Sequence, residues 1–324
     1  MEDRVKELGR QVLEETGKII IGKEHQVKLT LVALLSQGHI LLDDLPGVGK
    51  TTLVKTLAIV LGLDCKRIQF VPDLLPADIL GMNIYNQKSG EFQLVQGPVM
   101  TNLLLADEIN RAIPRTQSAL LEAMEEEQVT IDGKTHPLPR PFVVMATQKP
   151  VESETTFQLP AAQMDRFLVR LSLGYPTARE EQRMLGLLGD AIPFSSVHTI
   201  TSGPELLSLQ QAVQGVFVSD AVAQYIVELT GATRTHPMVK MGASPRGSRS
   251  LYRAAKAWAA LEGRGFVTPD DVQQLAHPVL EHRLLLSNEA RLSGLTAEKL
   301  LDRVLESTPV PSIPLSPGEA LSRG

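Results

Sequence analysis

His39-Ile40-Leu41-Leu42-Asp43-Asp44-Leu45-Pro46-Gly47-Val48-Gly49-Lys50-Thr51-Thr52 is the stretch that decides how this chain is read. His39 to Leu42 is a short run suited to a buried strand. It passes into a Pro/Gly loop, and a helix pattern begins near Lys50. Strand, glycine-rich loop and helix form the context in which G-x-x-x-x-G-K-[ST] binds phosphate. The eight positions here run from Asp44 to Thr51, so Asp44 stands where the first glycine is expected, and Gly47 is an additional glycine.

Each residue of the loop has a physical reason. Gly47 and Gly49 let the backbone turn sharply and present successive N–H groups to phosphate oxygens. The helix that starts at Lys50 aims its positive end at the anion. Lys50 is expected to reach the β- and γ-phosphates of ATP, and the Thr51 hydroxyl to take one Mg2+ position. Pro46, Gly47, Val48, Gly49, Lys50, Thr51 and Thr52 therefore form the expected nucleotide cradle for ATP or ADP. Asp44 falls at the strand end, before the cradle.

A second strand ends in charge: Asn102-Leu103-Leu104-Leu105-Ala106-Asp107-Glu108. Successive strand residues point to opposite sides, so the two acids serve different purposes. Asp107 is assigned to Mg2+, directly or through water, and Glu108 to polarising the attacking water. Phosphoryl transfer needs both charge neutralisation and a positioned nucleophile.

Outward from these motifs, Arg67–Phe70, Leu103–Ala106, Phe142–Ala146 and Arg166–Leu173 add further strand signals, mostly separated by helical patterns. That alternation predicts a parallel sheet flanked by helices. Amphipathic helices are expected over residues 4–16 and 24–37. Tyr85–Pro98 reads as a hairpin around Lys88-Ser89-Gly90. Gln128–Ile131 followed by Asp132-Gly133 reads as another, since Asp-Gly supplies positive φ. Beyond about Leu188 strand signals fade, and helices are expected over 205–214, 219–235, 248–262, 269–280 and 297–305. The expected organisation is an α/β domain over 1–190, a small all-helical domain over 191–307, and a proline-containing tail over 308–324 that does not fold.

Composition narrows the class. The chain has 324 residues, 43% hydrophobic and 21% charged, with a net charge of −5, so no global basic field favours nucleic acid. A single cysteine, Cys65, allows no internal disulfide and fits a reducing compartment. The N-terminus lacks a signal-peptide pattern and no apolar run approaches the ~20 residues that span a bilayer. A cytoplasmic protein without stable membrane insertion is expected. None of the seven histidines shows metal-ligand spacing. Trp258 reads as a core residue on an apolar helix face.

Several stretches together resemble the MoxR family of AAA+ ATPases. They are Asp73–Ile79, Asp107-Glu108-Ile109-Asn110-Arg111, Thr116–Glu126, Ala146-Thr147-Gln148, Leu159–Phe167 and Gly242-Ala243-Ser244-Pro245-Arg246. The likeness runs from about Gly22 to Arg283, and Gly22 is counted among the nucleotide-contacting residues. The resemblance implies an α/β P-loop AAA+ domain, a helical lid, and a homo-oligomeric, hexameric ring. It belongs to the helix-2-insert group, with the Tyr85–Pro98 hairpin as that insert and the hairpin near Gln128–Leu138 as the pre-sensor-1 insert, both facing pore or substrate. Arg166 in Met164-Asp165-Arg166-Phe167 matches the arginine finger that reaches a neighbour's γ-phosphate. A structural salt bridge with a nearby acid is its competing reading. Arg246 matches sensor 2.

One departure stands out. The family's sensor-1 asparagine position holds Lys149 here, in Ala146-Thr147-Gln148-Lys149-Pro150. Asn both donates and accepts; Lys only donates and brings a charge. Lys149 remains a candidate contact of the γ-phosphate, and slow hydrolysis is one reading of the exchange. The leading expectation is a Mg2+-dependent ATPase that remodels or matures a protein client, for which the resemblance suggests a von Willebrand A domain partner. The competing expectations are a DNA-directed, helicase-like motor and a slow-turnover ATP switch.

Overall fold

The computed structural model describes residues 2–44, 47–148, 156–188 and 192–311. Within it the chain divides into two compact units, residues 1–213 and 214–324. The sequence pattern changes near residue 190, yet the helix Gly203–Gln214 packs within the first unit. Its Gln210 side chain is buried and donates to Leu34 O at 2.7 Å.

The first unit is built on a five-stranded parallel sheet: β1 (His39–Asp43), β2 (Cys65–Gln69), β3 (Leu103–Asp107), β4 (Val143–Gln148) and β5 (Phe167–Leu171). The spatial order is β2-β3-β4-β1-β5, every pairing parallel. Ile40, Leu41 and Leu42 of β1 and Leu103, Leu104 and Ala106 of β3 are fully buried, as strands covered on both faces require. Edge strand β2 is instead only partly covered, with Ile68 buried and the neighbouring Lys66 and Arg67 both exposed. His39 is a core residue. Its Nδ1 accepts from Val144 N at 3.1 Å, so its Nε2 carries the proton and donates to Met124 O at 3.0 Å. The ring thereby ties β1 to β4 and to the helix Pro114–Glu126.

Both expected hairpins form. The first pairs Gly81–Asn86 with Glu91–Gln96, beginning earlier than the sequence pattern suggests. Gly81 has φ 106°, and a Cβ there would lie 2.5 Å from Val95 O, so the chain can fold back already at that point. Leu94 packs on the core, while Met82, Ile84, Tyr85, Phe92 and Val95 are exposed. The second pairs Gln128–Ile131 with Lys134–Pro137, and Asp132 (φ 48°) and Gly133 (φ 77°) make the turn. Asn83 Nδ2 donates to Asp132 Oδ2 at 2.8 Å, tying the two hairpins together.

The second unit carries helices over Asp220–Thr235, Pro245–Leu261, Pro269–Leu280 and Ala297–Ser307, close to the expected ranges. It also holds a small antiparallel pairing of Val239–Met241 with Leu285–Leu286, too short to leave a period-2 signal. Trp258 is buried. Arg264 makes a two-pronged ion pair with buried Asp271 at 2.5 and 2.7 Å. Asp271 also accepts the Thr268 N–H at 2.8 Å, closing the helix start. Of the expected tail, residues 312–324 lie outside the described residues, whereas Thr308 is buried, its hydroxyl donating to Val304 O at 2.7 Å. Among the described residues no helix is long and apolar enough to cross a membrane.

Candidate functional site

A parallel sheet brings the carboxyl ends of its strands to one edge, where open α/β sheets bind ligands. Here the loop after β1, the acidic end of β3 and the end of β4 meet on that edge, with β4 between the other two.

Gly47 and Gly49 take φ values of 86° and 93°, conformations that L residues with side chains rarely adopt. Gly49 precedes the helix Lys50–Leu61, whose first turn has no side-chain cap, and none of the described residues comes within 4 Å of a Cβ built on either glycine. An anion can therefore approach the N–H groups closely. The Lys50 ammonium donates to the Asp44 carbonyl oxygen at 2.9 Å. Pro46 lies outside the described residues, as does Lys149, so the sensor-1 exchange has no geometry to report.

Asp44, which replaces the first motif glycine, is buried. Its carboxylate accepts from Ser172 Oγ at 2.6 Å, Leu173 N at 2.7 Å and Gly174 N at 3.0 Å. It fastens the start of the loop to the segment that follows β5. Gly22 has φ 72° and faces the Glu180 carboxylate: a Cβ there would lie 1.9 Å from Oε1. Glycine at 22 is thus favoured by the positive φ itself, since the Glu180 carboxylate sits at the flexible end of a side chain on the helix Ala178–Leu188 and can move aside.

The acidic pair is more constrained than its sequence suggests. Asp107 Oδ1 accepts from the Thr147 hydroxyl at 2.7 Å, and Oδ2 from Arg67 Nη2 at 2.6 Å and Nε at 3.2 Å. Glu108 adopts a left-handed conformation (φ 56°), and its N–H donates to Thr147 Oγ1 at 2.7 Å. A non-glycine residue held this way costs of order 1–3 kcal/mol and clusters at functional sites. Glu108 Oε2 accepts from Arg111 Nη1 at 2.9 Å and Gln69 Nε2 at 3.2 Å. The two carboxylates have separate partners, and Glu108, past the end of β3, is directed by its left-handed backbone rather than by strand alternation.

The donor set suits a hard cation. The Thr51 hydroxyl and the Asp107 carboxylate are oxygen donors of the kind Mg2+ takes, and among the described residues no cluster of three or more His, Cys, Asp or Glu forms a self-sufficient cage. A cation here would complete its shell with phosphate and water, and would supply charge neutralisation at the phosphates.

The two arginines sit in separate units. Arg166 donates to Leu121 O at 2.6 Å and pairs with Glu125 at 3.0 Å, both on the helix Pro114–Glu126. Its guanidinium is partly exposed (side chain 29%), so the salt-bridge reading describes its local state. Arg246 lies exposed in the first turn of Pro245–Leu261, capped by Ser244, whose hydroxyl accepts Arg246 N at 3.1 Å.

Thr147, Arg67, Gln69 and Arg111 are the residues that motif reading left without a role. Arg67 and Gln69 did carry a signal: they alternate with Ile68 and Phe70, which marks an outward face at the strand end. Cys65 is half-buried on β2, and burial pushes its thiol above the usual range, away from the thiolate needed for reactivity.

Comparison with known proteins agrees with this geometry. The signature of the ATPase family associated with various cellular activities (AAA) matches residues 39–169, and that of the AAA lid domain matches residues 231–304. YeaC, an uncharacterized protein of Bacillus subtilis, is 49% identical over 94% of this chain and 95% of its own length. Chaperone MoxR1 of Mycobacterium tuberculosis is 43% identical over 95% of this chain and 84% of its own length. The crystal structure of a candidate ATPase from Cytophaga hutchinsonii superposes with a TM-score of 0.90 at 37% identity, covering 96% of this chain and 97% of that one. The fold and the site define an AAA-type P-loop protein with a helical lid. Within that class, the chain belongs to the MoxR-type AAA+ ATPases.

Proposed function

We propose that this protein binds Mg2+·ATP on the β1 loop and hydrolyses it to ADP and phosphate, using the cycle to remodel or mature a protein client. The observation that carries the reading is the shared edge: Gly47–Thr51 after β1, Asp107 and Glu108 after β3, and Thr147 at the end of β4 between them. Lys50 and the loop N–H groups hold phosphate, Thr51 and Asp107 the cation, and Glu108 orients the water.

Assembly into a hexameric ring accounts for Arg166, which serves the neighbouring subunit's γ-phosphate once released from Glu125. For Arg246 as a sensor, the support is the resemblance of Gly242–Arg246 alone. The chaperone name of the Mycobacterium relative supports a protein client, and the exposed Ile84, Tyr85, Phe92 and Val95 of the first hairpin offer an apolar surface for one. A von Willebrand A domain partner is the candidate the resemblance supplies. The lone cysteine fits a cytoplasmic location.

The test is steady-state phosphate release with fluorescent-nucleotide binding, for wild type and for Glu108→Gln, in Mg2+ and in EDTA. Mg2+-dependent release, abolished in a variant that still holds ATP, supports the reading. Client capture by that trapped variant, with pull-down from the native host, addresses the partner. Release as brisk in wild type as in Lys149→Asn rules out a slow switch, whereas a rate raised by that substitution supports one.

A further inference from the structure

Arg67 has no place in the nucleotide motifs, yet it makes the shortest contact of the Asp107 carboxylate, at 2.6 Å. It lies on edge strand β2, whose Gln69 is in register with Asp107 of β3. Two of its nitrogens converge on one oxygen, Asp107 Oδ2, at 2.6 and 3.2 Å. The third contact, Nη2 to Gln69 Oε1 at 2.7 Å, fixes the guanidinium in that pose. A carboxylate has about four acceptor positions. Arg67 fills both on Oδ2, and Thr147 fills one on Oδ1. A divalent ion arriving at Oδ2 therefore meets two N–H groups and a positive charge.

Resting on the nucleotide reading above, we propose that Arg67 is an internal counter-ion that competes with the divalent cation for Asp107 Oδ2. It occupies the metal's oxygen when the site is empty and leaves when Mg2+·ATP enters. The pairing is weak enough to yield, because the Arg67 side chain is 49% exposed, and exposed pairs are worth little. Departure of the guanidinium also breaks its bond to Gln69, whose amide holds Glu108 Oε2 at 3.2 Å. Cation entry is thus felt at the far end of an amide that donates to the Glu108 carboxylate, whose other donor is Arg111. Arg67 is a positioning residue: it touches the metal's ligand, not the reacting atoms.

The experiment is the Mg2+ dependence of mant-ATP binding by fluorescence, with Mn2+ binding followed by electron paramagnetic resonance as a readout independent of turnover. Relative to wild type, Arg67→Gln should lower the half-saturating Mg2+ and Mn2+ concentrations by about two- to fivefold, with mant-ATP affinity in EDTA unchanged. In an Asp107→Asn background the same substitution should have no further effect. An unchanged or raised metal midpoint in Arg67→Gln overturns the proposal, as does a full shift that persists with Asp107→Asn, which would mean a general field at the phosphates. Wild-type protein that fails to bind mant-ATP, with or without Mg2+, would overturn the nucleotide reading itself. Mg2+-dependent binding with an immobile midpoint would overturn only the role of Arg67.

Discussion

Thr147 and Asp107 are joined by a 2.7 Å hydrogen bond from the threonine hydroxyl to Oδ1, across neighbouring strands β4 and β3. The same hydroxyl oxygen accepts the Glu108 N–H at 2.7 Å, so one buried side chain orients the Asp107 carboxylate, proposed for the cation, and holds the strained turn that carries Glu108. Thr147→Val keeps the shape and removes both bonds. It should cost about 1–3 kcal/mol of stability, since a partly buried N–H loses its partner, and lower kcat. Thr147→Ser should restore both. Urea unfolding and phosphate release measure the two effects.

Glu108→Gln keeps the side chain's size and removes its charge. ATP binding should persist while turnover falls by about 10²-fold or more, the scale of losing one aligned group in a transition state. Turnover equal to wild type would remove Glu108 from the mechanism.

Arg166 has a local partner in Glu125 and a proposed one in a neighbouring subunit. Arg166→Ala should bind ATP normally and lose about 10³-fold or more in rate, with activity recovering in mixed assemblies that supply the missing arginine. Loss of thermal stability with intact turnover would assign the residue to the Glu125 bridge alone.

Asp44→Gly restores the phosphate-loop pattern, yet it should destabilise the protein. Three donors in Ser172–Gly174 lose their acceptor, and bonds to a charged group are worth about 1.5–3 kcal/mol each before relaxation. Chemical denaturation should show a clear loss for glycine and a smaller one for Asp44→Asn.

His277 bridges two helices of the second unit, its Nε2 3.0 Å from Asp302 Oδ1 and its Nδ1 3.9 Å from Glu281. The nearby carboxylates of Glu281 and Asp302 raise its pKa above the ordinary 6.5. A raised folded pKa stabilises fully below the unfolded value and fades as pH climbs through the folded one. The melting temperature of His277→Gln should therefore fall short of wild type near pH 6, and the gap should close at alkaline pH. A gap independent of pH would mean that packing, not charge, holds the two helices.

The sequence was most legible where local chemistry dictates form. Gly47, Gly49 and Lys50 announce the loop because positive φ and a helix start are local demands. The Asp132-Gly133 turn was legible for the same reason. What stayed hidden was pairing across distance. Nothing local tells that Asp44 turns its carboxylate to residues 172–174, or that Gly22 sits beside Glu180. Arg67 reads in sequence as one outward residue of a short strand, and only strand order sets it beside Asp107. The ends of the two units were illegible for a related reason: helix Gly203–Gln214 carries a helical pattern wherever it packs, and the buried Gln210 contact assigns it to the first unit.

By itself, then, the sequence determined the class of this protein, an alternating α/β chain with a phosphate loop, an acidic strand end and a helical region after it. Those follow from periodicity and residue chemistry over a few neighbouring positions. The tertiary structure decided how the site is wired: Thr147 between the two acids, Arg67 on one and Arg111 on the other, Asp44 under the loop. Arg111 lies only three residues from Glu108, but the others depend on which strands lie side by side, and a hydrogen bond of 2.7 Å is fixed by that adjacency, not by separation along the chain.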